Sequence, residues 1–270
     1  MEGVAGVCSW EQVDARRFTP EYQIFRRHMT AEICAAIAGA RSAGADRILV
    51  NDSHGPMRNV LLDEIPADVQ VIFGDRKPFS MMQGLDRSFE GVFFTGYHGA
   101  IGQADAVLAH TYTPSVVYDV RLNGVRCSEA TLNAALAGYY GVPVLLITGD
   151  TSTVESAQAQ LSWATGVAVK TSIGNYSVDS ISPQAAQEAI AAGASQAIRN
   201  LANAKPFAFE APVSMEIDVA KVEQADFIAL IPGFERTADR TVRFAHDDYA
   251  VVFKAFVAAF RMGAVAGEPA

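Results

Sequence analysis

The stretch Glu129 to Tyr140, closed by Gly141 and followed at once by Val142-Pro143-Val144-Leu145-Leu146-Ile147-Thr148-Gly149-Asp150, decides the fold. A helical segment leads through a glycine stop into a continuous apolar run that ends in polar residues. That order describes a strand buried on both faces, as in a parallel sheet covered by helices. Pro143 suits only the first residues of such a strand, because proline donates nothing to a ladder. Upstream the same pattern recurs. Thr19 followed by Pro20 is a helix start, and apolar residues at helical spacing run through Ile24, Met29, Ile33 and Ile37 until Gly44. A short strand follows at Asp46-Arg47-Ile48-Leu49-Val50-Asn51-Asp52, then others at Val69 to Phe73 and Gly91 to Gly96.

Downstream, Thr153 to Trp163 reads as a helix, Val167 to Lys170 as a short strand, and Ser182-Pro183 opens an Ala-rich helix running towards Ala204. Pro206 and Pro212 bracket a linker. Beyond it the apolar runs shorten, with strand-like segments at Val213 to Val219, Phe227 to Ile231 and Thr241 to Phe244, and a closing amphipathic helix from Asp248 to about Met262. The expected architecture is α/β, a mainly parallel sheet with helices on both faces, plus a smaller C-terminal α+β domain. The expected division is residues 1–181 for a metal-binding domain and 182–270 for the second.

Composition narrows the function. Half of the 270 residues are hydrophobic and 19% are charged, which fits a globular chain. With 21 Lys+Arg against 30 Asp+Glu, the net charge of -9 argues against nucleic acid as a partner. No apolar run approaches the roughly 20 residues of a membrane span, and the N-terminus has no signal-type pattern, so the expected location is cytoplasmic without membrane contact. Cys8, Cys34 and Cys127 stand far apart and form no Cys-x-x-Cys pair, which fits reduced thiols rather than a disulfide framework or a thiolate metal site.

Two of the five histidines, His54 and His98, follow strand ends, where open α/β sheets gather ligands. Imidazole and carboxylate suit Zn²⁺ when thiolates are absent. Four acids are available, namely Glu2, Asp52, Glu129 and Asp150; Asp52 and Asp150 serve equally well as turn caps, and composition does not choose among the four. His110, at the polar tip of Ala106-Val107-Leu108-Ala109-His110-Thr111-Tyr112, reads either as a core histidine or as a general acid/base. His28 reads as part of a solvated helix face and His246 as a capping contact before Asp247-Asp248.

Several blocks, taken together and in order, resemble one family: Met1-Glu2-Gly3-Val4-Ala5-Gly6, Val50-Asn51-Asp52-Ser53-His54, Gly74-Asp75-Arg76-Lys77-Pro78-Phe79-Ser80-Met81, Gly96-Tyr97-His98, Ala109-His110 and Glu129 to Ala134. The chain is similar to the zinc-dependent D-aminopeptidases of the bacterial dipeptide-transport operon type, over nearly its whole length. The resemblance implies a two-zinc centre with Glu2, His54, His98 and Glu129 as ligands and His110 as the catalytic histidine. It also implies a small, D-amino-acid-containing peptide as substrate and a homo-oligomer built of pentameric rings, with five subunits or, as a decamer, ten. In the family an Asp-x-Glu motif supplies an aspartate that bridges both metals. Here Met1 stands at the middle position of that motif, and the aspartate falls one residue ahead of it. The expectation is a start further upstream. The alternative is a non-catalytic, ring-forming peptide-binding homologue with a damaged metal centre, and phosphoester hydrolysis is a further rival for the same ligands.

Overall fold

The computed structural model describes residues 1–267. The strands are β1 (Leu49–Asn51), β2 (Gln70–Ile72), β3 (Val92–Tyr97), β4 (Val117–Leu122), β5 (Val125–Arg126), β6 (Val144–Asp150), β7 (Thr165–Gly174), β8 (Ser177–Ser180), β9 (Val213–Val219), β10 (Glu235–Ala238) and β11 (Thr241–His246). The helices are α1 (Pro20–Ser42), α2 (Glu129–Tyr139), α3 (Thr151–Gln160), α4 (Pro183–Arg199), α5 (Val222–Ile228) and α6 (Tyr249–Ala266).

The central sheet has the order β3-β6-β7-β8, with β3, β6 and β7 parallel and β8 folded back antiparallel on β7. All seven residues of β6 are buried, as the apolar run requires. Its side chains divide between two cores. Leu146 faces the one built with Ala36 of α1 and Ile190 and Ala194 of α4, whereas Ile147 faces the one shared with Leu132 of α2 and Val154 of α3. Thus helices cover both faces, and the fold is the α/β arrangement expected. Polar residues set the helix starts. Thr19 and Ser182 accept from the backbone N–H of Tyr22 and Ala185, each with a proline at the next position.

β1 and β2 form a separate parallel pair. A cavity of about 1010 Å³ lies between β1 and β3, lined on its flanks by Ile33, Ala36 and Ile37 of α1 and by Met81 and Met82. The functional groups described below line this same cavity.

The second sheet is antiparallel, in the order β10-β11-β9-β4-β5, and it packs on α6. Residues 182–270 do not build this layer alone. The hairpin of β4 and β5, far upstream, supplies two of its strands, while α4 packs on α1 and on the central sheet. Layer membership therefore cuts across the expected division at 181/182. Phe227 to Ile231 is not a strand: its first two residues close α5, in which Ala225 and Ile228, three residues apart, point into the core while Phe227 stays exposed, as does Leu230 beyond it. By length and composition α6 passes for a membrane-crossing helix, but half of it is buried, with Phe253, Phe256 and Phe260 in the core.

Candidate metal centre

Each functional side chain is delivered by the end of an element. His98 follows β3 directly, and Glu129 is the first residue of α2, where the helix N-terminus favours a negative charge. His54 lies three residues beyond β1, and Glu2 sits in a loop of turns that precedes any helix or strand. His110 lies in the connection between β3 and β4.

These five groups meet at one end of the cavity. His54 Nδ1 is 3.1 Å from Glu2 Oε1, and His98 Nε2 is 3.4 Å from Glu129 Oε1. His110 Nε2 stands 3.8 Å from each of those carboxylate oxygens. The rings of His98 and His110 stack, with centroids 3.9 Å apart and planes 10° from parallel. All but His54 are buried; its side chain is 12% exposed.

The opposite ring nitrogens are held by backbone carbonyls. His54 Nε2 lies 2.6 Å from Val13 O, His98 Nδ1 3.0 Å from Gly99 O, and His110 Nδ1 2.8 Å from Leu108 O. Each bond fixes a ring orientation and leaves the other nitrogen facing the carboxylates. Glu129 Oε1 also accepts from the backbone N–H of Tyr112 at 2.6 Å, and Tyr112 Oη donates to Asn133, whose amide donates to Tyr97 Oη. Trp10 meets the His110 ring edge-on at 5.3 Å.

The loop carrying Glu2 lies hard against the end of β3. Gly3 N–H donates to Gly96 O at 3.0 Å, and a Cβ on Gly3 would stand 1.9 Å from Tyr97 O. Only glycine permits that approach. Gly96 itself has φ +67°, a left-handed conformation that turns the end of β3 around the loop.

Electrostatics divide the groups. Burial alone would raise the Glu2 carboxyl, but the neighbouring His54, and after it His98, pull the other way, and Glu2 lies well below its ordinary value. Burial likewise opposes ionisation of Glu129, and His98 and His110 reverse that. Both acids are therefore carboxylates at neutral pH. Burial works against the charge on His98, yet Glu129 and Glu2 push it up to about 9. His110 shifts downward, through burial and then the neighbouring His98. Without a metal the two stacked imidazoles thus differ in proton affinity, and a cation bound between the carboxylates would displace the proton from His98.

The chemistry of the set fits a zinc ion. It consists of imidazole nitrogens and carboxylate oxygens, and ligand atoms of Glu2, His98 and His110 lie within 4.8 Å of one another. His110, read from the resemblance as catalytic, thus belongs to the same tight group as Glu2 and His98. The other two acids drop out. Asp52 accepts from the backbone of Asn59 and Val60 and so closes its own loop, and Asp150 caps α3 through Thr153 N–H. His246 makes the capping contact expected, accepting from Asp248 N–H at 2.9 Å. Sequence reasoning passed over Trp10, Tyr112 and Asn133. The placement of Asn133 four residues after Glu129 on one helix face was the available signal.

Known proteins match this chain over nearly its whole length. A family model described as D-aminopeptidase (Peptidase_M55) matches residues 1–258. The D-aminopeptidase of Bacillus subtilis (strain 168) is 34% identical over 261 residues, covering 95% of this chain and 93% of that protein. The solved structure of the Zn-dependent D-aminopeptidase DppA from Bacillus subtilis, described as a self-compartmentalizing protease, superposes with a TM-score of 0.95 at 31% identity, covering 100% of this chain and 97% of that one. On the extent of these matches, the chain belongs to the D-aminopeptidase family.

Proposed function

We propose that the chain is a zinc-dependent aminopeptidase that releases the N-terminal residue, in the D configuration, from short peptides, with Glu2, His54, His98 and Glu129 holding zinc and His110 handling the proton. The observation that carries this reading is the convergence of those five side chains, from five separate segments, at one end of one cavity. Zinc bound there supplies Lewis acidity to the scissile carbonyl and lowers the pKa of water.

The chain's own groups do the rest. Because His110 Nδ1–H donates to Leu108 O, Nε2 carries the free lone pair and faces the two carboxylates. It takes the proton released as water attacks and returns it to the departing amine. Glu2 and Glu129, held ionised, keep the neighbourhood negative, which favours the protonated amino end of a peptide as well as the cation. Trp10 packs edge-on against the His110 ring and helps to hold its orientation.

Assembly follows the relative described as self-compartmentalizing, and we extend it to stacked pentameric rings. Exposed Phe227, Leu230 and Val265 on α5, the turn after it and α6 supply apolar area for such contacts. Free thiols at Cys8, Cys34 and Cys127 agree with the cytoplasm.

The test is release of D-alanine from D-Ala-D-Ala by the purified chain. Turnover should vanish with a chelator, return with Zn²⁺, and fall by about 10²- to 10⁴-fold in His110→Ala. Equal rates in wild type and His110→Ala would remove His110 from the mechanism. No hydrolysis by the zinc-loaded chain would refute the reading.

A further inference from the structure

Beneath the metal centre, three carbonyl groups of the N-terminal loop turn inward onto one side chain. Lys170, in the middle of β7 and 4% exposed, donates from Nζ to the carbonyl oxygens of Glu2 at 2.5 Å, Val4 at 2.9 Å and Val7 at 2.7 Å. An ammonium has three protons, and each has an acceptor here. Glu32, on α1 and 2% exposed, takes the outward-turned amide between them, accepting from Ala5 N–H at 2.9 Å. Ser180 on β8 accepts from Gly6 N–H at 2.8 Å.

Residues 2–7 form no helix or strand of their own. Successive turns, Val4 N–H to Met1 O and Val7 N–H to Val4 O, bend the chain so that the carbonyls of Glu2, Val4 and Val7 face the same point. Carbonyls converging in this way need a cation or several donors at their focus, since buried polar groups without partners are costly. Lys170 is that focus. Its stem comes from the rigid central sheet, so the loop is referenced to β7 and not merely to itself.

We propose that Lys170 is a positioning residue for the zinc-holding carboxylate of Glu2: its ammonium is a built-in cation around which residues 2–7 fold, and it sets the direction in which Glu2 leaves the backbone. The inference rests on the reading of Glu2 as a zinc-holding group. It predicts that the donors of Lys170, and not its charge alone, control metal binding at a site its ammonium reaches only through a backbone carbonyl.

The experiment compares full-length wild type, Lys170→Met, Lys170→Ala and Lys170→Arg by zinc titration of the metal-free proteins and by amide hydrogen exchange. Lys170→Met keeps the stem and removes the donors; its zinc affinity should fall by about 10- to 100-fold, the range for groups that orient metal ligands. The amides of Ala5, Gly6 and Val7 should exchange at least about tenfold faster, while those of α2, which carries Glu129, keep their protection. A general loss of stability would instead speed both. Added propylammonium should restore zinc binding to Lys170→Ala, and tetramethylammonium, of equal charge but with no N–H, should not. Lys170→Arg, which retains donors and is the milder change should the Met variant not fold, is expected to bind zinc more tightly than Lys170→Ala. Wild-type zinc affinity in Lys170→Met, equal rescue by the two ammonium ions, or no advantage of Arg over Ala would each overturn the proposal. Absence of zinc binding in the wild type would refute the ligand reading instead, and the exchange comparison would still decide whether Lys170 orders the loop.

Discussion

The groups of the metal centre come from two regions that are held in different ways. His98 and Glu129 leave β3 and α2, which pack on β6, a strand whose seven residues are all buried. Glu2 and His54 come from a loop of turns and from the far side of a cavity of about 1010 Å³, where β1 is three residues long, half-buried and paired only with β2. On the first side, position is a by-product of core packing. On the second it depends on polar clasps, with Lys170 and Glu32 gripping residues 2–7 and Asp52 gripping Asn59 and Val60. A site assembled this way has one firm wall and one adjustable wall, which suits a centre that has to admit both metal and peptide.

The largest expected effect separates the two walls directly. Glu129→Gln, on the firm side, should abolish measurable zinc binding and lower D-Ala-D-Ala hydrolysis by about 10³-fold or more, since it removes a charge the buried imidazoles need. His54→Ala, on the adjustable side and partly exposed, removes a neutral ligand and no charge, and should weaken zinc by less than Glu129→Gln does. Zinc titration of both variants checks the order. A greater loss in His54→Ala would break the comparison.

A second pair of substitutions probes packing without touching the site. Leu146→Ala opens a hole in a filled core and should cost about 3 to 4 kcal/mol of stability in urea unfolding. Val50→Ala, beside the cavity, removes atoms that are already poorly enclosed and should cost less than about 1 kcal/mol. Similar costs at the two positions would mean that both walls are equally packed.

Much of this division was legible in the sequence. Helix starts at Thr19-Pro20 and Ser182-Pro183, and the apolar run into β6, follow from local chemistry that the structure repeats. His54 and His98 were legible because strand ends collect polar residues. The hairpin of β4 and β5 was overlooked, although Asn123-Gly124, both at positive φ, is a strong two-residue turn signal; its flanking residues Asp119 and Arg121 disguise the alternation. β8 escaped because it is four half-exposed residues that pair only through β7. Lys170 was placed on a strand correctly, but nothing local marks a lysine whose partners lie more than 160 residues away. Convergence of side chains is a property of topology, and the choice among Glu2, Asp52, Glu129 and Asp150 had to wait for it.

A more modest effect than the Leu146→Ala loss concerns pH and the adjustable wall. Burial raises the Glu32 carboxyl to about 7, against the opposing hydrogen bond from Ala5 and the charge of Lys170. The folded chain therefore holds this proton more tightly than the unfolded one. Stability from this group is full below its unfolded value near 4.5 and is lost as pH rises through 7. A shift of that size corresponds to at most about 3 kcal/mol. Glu32→Gln, which retains an acceptor for Ala5 N–H, should match wild type in thermal unfolding at pH 5 and exceed it by roughly 1 to 2 kcal/mol at pH 8.5. An equal difference at both pH values would show that Glu32 does not titrate with folding.

Crystals of the zinc-soaked chain, measured on either side of the zinc absorption edge, test the metal centre most directly. An anomalous peak about 2.0 to 2.2 Å from ligand atoms among Glu2, His54, His98 and Glu129 is the expected result. A fully soaked crystal with no peak there, or with zinc only on exposed side chains elsewhere, would contradict it.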